Sequence, residues 1–316
     1  MIVIPPITLR ENGQINVILN GERKLTVESN ERVKTESEQE NHHPLQWMKK
    51  ELDALVGLES LKTTVEEIYA WVYINEKRKE KGLKTDKQVL HMLFKGNPGT
   101  GKTTVARLIG QMFQKMKVLS KGHLIEVERA DLVGEYIGHT AQKTRELIKK
   151  SLGGILFIDE AYSLARGGEK DFGKEAIDTL VKGLEDKKDE FVLILAGYKE
   201  EMDFFLSLNP GLPSRFPIKV EFPDYTVDEL LEISRRLIAS KDYRFHPDAE
   251  WKLKGHLIKI RNQPEGRFSN GRYIRNILEK AIRKQALRLL QEAKETKSDL
   301  LLIRPEDLSF EEETYS

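Results

Sequence analysis

From about residue 47 onward, short apolar runs alternate with longer stretches in which apolar residues recur three or four positions apart. The runs cover residues 89–94, 123–127, 155–158, 191–196 and 218–222. Each has strand length and is mainly apolar, which is how the buried strands of a parallel sheet read. Val65, Ile68, Tyr69 and Val72 mark one stripe of an amphipathic helix. Strands alternating with helices predict an α/β domain built on a parallel five-stranded sheet with helices on both faces.

After Pro223 the strand runs stop. Residues 227–240, 248–261 and 271–290 carry helical periodicity and predict a smaller helical domain, with 300–303 as a short final strand before Pro305. Upstream, Ile15, Val17 and Leu19 alternate with polar positions, and Asn20-Gly21 suits a type I′ turn before Leu25 and Val27. The expected organisation is a hairpin extension over 1–30, a polar linker over 31–46, an α/β domain over 47–225, a helical domain over 226–310 and a tail over 311–316.

Charge alters this picture mainly by exclusion. Fifty-two Lys and Arg against 51 Asp and Glu give a formal net charge of +1, so nothing electrostatic calls for a nucleic acid or an anionic membrane. The Lys- and Arg-rich stretch 272–297 reads as a solvated helix face. The chain has no cysteine, which removes disulfides, thiolate metal sites and Cys nucleophiles together. No run approaches the roughly 18 apolar residues of a membrane span, and the first residues lack a signal peptide's basic and apolar regions. The expected location is the cytoplasm, without a membrane partner.

The chemistry concentrates in Gly96-Asn97-Pro98-Gly99-Thr100-Gly101-Lys102-Thr103-Thr104, a G-x-x-x-x-G-K-[ST] loop between a predicted strand and a predicted helix. Its glycines let backbone N–H groups curl around phosphate oxygens, and the following helix adds its positive end. Lys102 is expected to reach the β- and γ-phosphates, and the Thr103 hydroxyl to ligate Mg²⁺. The run ending Ile158-Asp159-Glu160 delivers two acids at the strand edge where such sheets bind ligands. Asp159 is expected to hold Mg²⁺ through water, and Glu160 to act as general base on the attacking water. Neighbouring strand residues face opposite ways, so a turn must re-aim one of the two acids.

These motifs resemble those of the AAA+ ATPases. The resemblance continues through Ala161-Tyr162-Ser163-Leu164, Leu195-Ala196-Gly197-Tyr198, Asn209-Pro210-Gly211-Leu212-Pro213-Ser214-Arg215-Phe216 and Phe268-Ser269-Asn270-Gly271-Arg272-Tyr273-Ile274-Arg275-Asn276. Gly134-Glu135-Tyr136-Ile137-Gly138-His139-Thr140 and the run after Glu160 are similar to the branch containing the red-type rubisco activases. That likeness extends over about residues 52–290 to a sporulation subgroup.

The resemblance implies ATP and Mg²⁺ as cofactors and a helical lid after the α/β core. It also implies a homo-oligomeric ring, hexameric by class, that remodels a protein client. Val56 and Gly57 match the segment that wraps adenine, Arg215 the arginine finger offered to a neighbour, and Arg272 the sensor-2 arginine, with Arg275 one turn on. Tyr136, Ile137 and Gly138 match the pore loop that grips a client; the alternative for Tyr136 is packing on the sheet, and its flanking glycines favour a loop. One position departs from the pattern: where the sensor-1 residue is usually Asn or Thr, this chain has Ala196-Gly197-Tyr198-Lys199. A nucleic-acid motor and a nucleotide-dependent scaffold are the competing readings of the same core.

Overall fold

The structure, a computed structural model, describes residues 16–17, 25–26, 43–85, 89–136, 138–166, 171–208, 211–262, 268–293 and 296–310. The chain divides into two compact units, Met1–Gln46 and Trp47–Ser316. In the first, strands β1 (Asn16–Val17) and β2 (Leu25–Thr26) pair antiparallel. The expected Asn20-Gly21 turn lies outside the described residues, as does the expected linker over 31–46 except for its last four residues, 43–46, which are helical rather than linker.

Helix α1 (His43–Asp53) starts at the end of the first unit and continues into the second, where α2 (Glu59–Glu80) precedes the sheet. The stripe read from the sequence is the buried face of α2, with Val65, Ile68, Tyr69 and Val72 all in the core. Five parallel strands follow in the order β4-β5-β6-β3-β7: β3 (Met92–Gly96), β4 (Leu124–Val127), β5 (Ile155–Ile158), β6 (Val192–Gly197) and β7 (Ile218–Phe222). Every residue of β5 and β6 is buried, whereas β7 alternates buried and exposed positions as an edge strand must. The P-loop strand therefore lies beside the edge, between β6 and β7, with Phe94 packed on Phe222 at 4.9 Å and on Phe157 at 6.4 Å. Burying a ring such as Phe94 contributes on the order of 2–3 kcal/mol, so the strand that carries the loop is firmly anchored.

Connections between the strands supply the covering helices: α3 (Lys102–Lys115), α4 (Arg129–Leu132), α5 (His139–Ser151), α6 (Gly173–Asp186) and α7 (Lys199–Leu208). Helix α3 buries Val105, Ile109, Met112 and Phe113, a spacing that puts one face on the sheet.

The smaller domain begins sharply. Thr226 caps α8 (Val227–Ala239): its hydroxyl accepts the Glu229 N–H at 3.2 Å, while the Glu229 carboxylate accepts the Thr226 N–H at 2.7 Å. Helices α9 (Pro247–Arg261) and α10 (Asn270–Glu292) complete a second core around Leu230, Leu253, Leu257, Ile274 and Leu278.

Two expectations are corrected here. Strands do not stop at Pro223, because β8 (Arg244–Phe245) pairs in parallel with β9 (Leu302–Ile303). The predicted strand over 300–303 is also only half strand: Lys297–Leu301 forms a helix, α11, capped by Thr296. The buried Gln285 amide donates to the carbonyls of Asp299, Leu300 and Leu302, which holds the short helix and strand together. A two-residue strand has no room for alternation, so periodicity does not reveal it.

Candidate nucleotide site

The C-terminal ends of β3, β5 and β6 and the helices of the smaller domain enclose a cleft of about 480 Å³. At its base the chain leaves β3 and turns through Gly99 (φ +71°) and Gly101 (φ +97°), both left-handed. A Cβ on Gly99 would stand 2.2 Å from the Ser269 carbonyl oxygen and 2.7 Å from the Arg272 nitrogen, so only glycine lets the smaller domain approach this closely. Gly101 caps α3 without a side-chain hydrogen bond, leaving the first N–H groups of the helix open to an anion.

Lys102 is buried and donates from Nζ to the carbonyls of Gly96 and Asn97, both at 2.8 Å. Burial pushes its ammonium below the usual lysine range; Asp159 opposes that shift and Arg272 reinforces it. The Thr103 hydroxyl donates to the Glu126 carboxylate on β4 at 3.1 Å.

Asp159 and Glu160 meet Lys102, Thr103 and Thr104 in this cleft. The Asp159 N–H donates to the Val127 carbonyl at 3.0 Å, extending the β4–β5 ladder one step beyond the strand. Glu160 then adopts φ +47°, and its N–H donates to Asp159 Oδ1 at 3.0 Å. That left-handed step re-aims the second acid and brings both carboxylates to one cavity. Tyr198, immediately after β6, also lines the cleft and lies 5.9 Å from the Tyr162 ring, while Lys199 pairs with Glu221 on β7 at 3.1 Å.

Leu55, Val56 and Leu58 form an apolar wall with Ile233 and Leu237 of α8. Arg236, between them, donates to the Ala54 carbonyl at 2.5 Å. Gly57 does not line the cleft; at φ +68° it backs onto Glu229, whose Oε1 stands 2.2 Å from where a Cβ would be. Arg272, Arg275 and Gly271 of α10 close the opposite side. Gly96, Pro98, Gly99 and Gly101 line the floor, whereas Asn97 and Thr100 face away from it. The Asn97 amide bonds Asp224 at 2.8 Å, and the Thr100 hydroxyl bonds the Asn97 carbonyl at 2.8 Å.

Two expected site residues stand elsewhere. Arg215 is outside the cleft, paired with Glu185 of α6 and donating to the Gly211 carbonyl at 2.5 Å. Tyr136 is 65% exposed, with its ring roughly perpendicular to that of His139 at 5.3 Å, so it is not packed on the sheet. It lies between Gly134, whose N–H donates to the Thr140 hydroxyl at 2.9 Å, and Gly138, at φ +82°. Ile137 lies outside the described residues. No helix among the described residues is long and apolar enough to cross a membrane.

Residues 92–224 match the ATPase family associated with various cellular activities (AAA), and residues 226–316 match the AAA lid domain. The chain is 61% identical over 312 residues to stage V sporulation protein K of Bacillus subtilis (strain 168), covering 97% of both. This chain belongs to the AAA ATPases.

It is also 47% identical over 243 residues to protein CfxQ of Xanthobacter flavus, covering 76% of both. To the chloroplastic ribulose bisphosphate carboxylase/oxygenase activase of Cyanidioschyzon merolae it is 45% identical over 257 residues, 80% of this chain and 87% of that one. Its place in the AAA family is thus the CfxQ and red-type rubisco activase branch. A Thermotoga maritima RuvB mutant shares the fold with a TM-score of 0.53 at 21% identity, covering 81% of this chain and 69% of that one.

As an AAA domain, the α/β core binds ATP. Sequence reading of this AAA ATPase missed Arg236, Asp224 and Asn270, all of which meet the nucleotide-binding segments from far along the chain. Only Asn270 had a signal beforehand, as part of a run singled out for Arg272.

Proposed function

We propose that this AAA ATPase hydrolyses ATP with Mg²⁺ in the cleft, as a hexameric ring of identical subunits that remodels or threads a protein client. The observation that carries the reading is the separation of Arg215 from the other charged groups. Lys102, Asp159, Glu160 and Arg272 share one cavity, whereas Arg215 is held on another surface by Glu185. Arg215 can then add its charge to a transferring phosphoryl group only across a subunit boundary, at a neighbour's cleft.

The residues fit the nucleotide and its metal. The open α3 N-terminus and the buried Lys102 cation suit phosphates, and the apolar wall of Leu55, Val56, Ile233 and Leu237 suits a base. Thr103 and Asp159 offer hard oxygen donors. Among the described residues no group of three or more His, Cys, Asp or Glu could hold a metal ion, so phosphates and water would complete the shell. Bound Mg²⁺ would supply neutralisation of the phosphate charge.

The protein's own contribution is positional and electrostatic. Lys102 binds phosphate, Asp159 would help hold the metal, Glu160 takes the proton of the attacking water, and Arg272 reads the γ-phosphate from the lid. The left-handed turn at Glu160 supports the division between the two acids. Tyr136, exposed between two glycines, is placed to grip a client chain. The named activase among the relatives supports a protein client, and the name of the Bacillus subtilis relative supports a role in sporulation.

Phosphate release measured alongside light scattering tests the proposal. ATP should promote a larger particle, and specific activity should rise with protein concentration as the particle forms. Full turnover by a monomer at every concentration contradicts it.

A further inference from the structure

The lid grips the P-loop through hydrogen bonds to its backbone carbonyls. The Gly271 N–H donates to the Gly99 carbonyl at 3.0 Å, and the Tyr225 hydroxyl donates to the Thr100 carbonyl at 3.0 Å. Beside them, the carboxylate of Asp224, at the junction of β7 and the lid, gathers three segments. Its Oδ1 accepts from Asn97 Nδ2 at 2.8 Å and from Asn270 Nδ2 at 2.7 Å, and its Oδ2 accepts from Arg261 Nη1 at 3.4 Å.

Asn270 is the least replaceable member of this group. It is fully buried, with a relative exposure of 0%, and holds φ +48°, a conformation Asn tolerates better than most residues. Its Oδ1 accepts the Tyr225 backbone N–H at 3.0 Å, and its Nδ2 also reaches the Phe268 carbonyl at 3.1 Å. One face must accept and the other must donate, which only a carboxamide does at this position.

The grip has a chemical route to the phosphates. In a trans peptide the C=O and the N–H point opposite ways, and no cis peptide occurs among the described residues. The Gly99 carbonyl held by Gly271 and the Thr100 N–H therefore belong to one peptide group and face opposite sides. An anion on that N–H polarises the carbonyl and strengthens its bond to the lid.

The geometry points to Asn270 as a positioning residue. With Asp224 it fixes the start of α10 on the P-loop, places Arg272 over the cleft, and makes lid position respond to phosphate on the loop. This rests on the reading of the cleft as an ATP site.

The test exchanges the two partners. Asn270→Asp sets a carboxylate against Asp224 while keeping the acceptor for Tyr225 and the tolerance of positive φ. Combining it with Asp224→Asn restores one donor and one acceptor across the pair. Because the chain has no cysteine, Gln111→Cys and Lys284→Cys on exposed helix positions allow spin labels to report the core-to-lid distance.

ATP should narrow the distance distribution in the parent. In Asn270→Asp the narrowing should vanish and ATP affinity should fall about tenfold or more, the order carried by one charge-assisted hydrogen bond. The double variant should recover part of both, since the bond to the Phe268 carbonyl stays lost. Asn270→Gly, which keeps the backbone freedom and loses the carboxamide, should behave like Asn270→Asp, and it stands in if the charged variant melts early. Asn270→Asp or Asn270→Gly matching the parent, or a double variant no better than Asn270→Asp, overturns the assignment. A parent that binds no ATP removes the cleft reading instead.

Discussion

His91 immediately precedes the P-loop strand and offers a quantitative test of how that strand is held. It is 1% exposed, its Nδ1 accepts the Leu193 N–H at 3.1 Å, and its ring lies 5.9 Å from Phe191 and 6.1 Å from Phe216, the neighbour of Arg215. Burial lowers its pKa from 6.5 to about 4. Protonation at Nδ1 would also turn two donors toward each other. A His whose folded pKa is depressed contributes stability in full above the unfolded value and loses it as pH falls from 6.5 toward 4. At about 1.4 kcal/mol per pH unit the complete loss is about 3 kcal/mol, and roughly 2.5 kcal/mol of it has occurred by pH 4.5. His91→Asn can accept the same N–H without titrating. Urea unfolding at pH 7.5 and 4.5 should show the parent losing roughly 2.5 kcal/mol more than His91→Asn, with carboxylate contributions common to both cancelling. Equal losses in the two proteins would refute the account of His91 as a buried neutral acceptor.

The remaining predictions concern the ring and its client. Arg215→Ala should keep ATP binding and lose turnover by about 10³-fold or more, read by nucleotide affinity and phosphate release. Mixing it with Lys102→Ala subunits should restore part of the activity, since some interfaces then join an intact P-loop to an intact finger; mixtures no better than either variant count against action across subunits. Tyr136→Ala should retain basal ATP hydrolysis and lose client-dependent work, because Tyr136 is largely exposed and outside the nucleotide cleft. If its melting temperature or basal turnover collapses, the loop is structural.

The sheet was legible because β5 and β6 are buried on both faces, which writes unbroken apolar runs into the chain. The P-loop was legible because backbone approach to phosphate demands glycine at fixed positions. The pairing of β8 with β9 was not, because two residues cannot display a period. The Asp224–Asn270 contact was not either: it joins segments 46 residues apart through one polar side chain in each, and no local pattern marks such a pair. Arg215 was identified from its neighbours in sequence, yet its partner Glu185, 30 residues earlier on α6, left no trace there.

The central claim is that Glu160 supplies the base in a cleft where Lys102 holds the phosphates. Lys102→Ala should abolish nucleotide binding, since the phosphates lose the loop's cation. The direct measurement is ATP affinity and single-turnover phosphate release for Glu160→Gln. ATP should bind as tightly as in the parent, with hydrolysis nearly halted, because the charge at Asp159 remains and the proton acceptor is gone. Hydrolysis by Glu160→Gln at close to the parent rate would contradict the account.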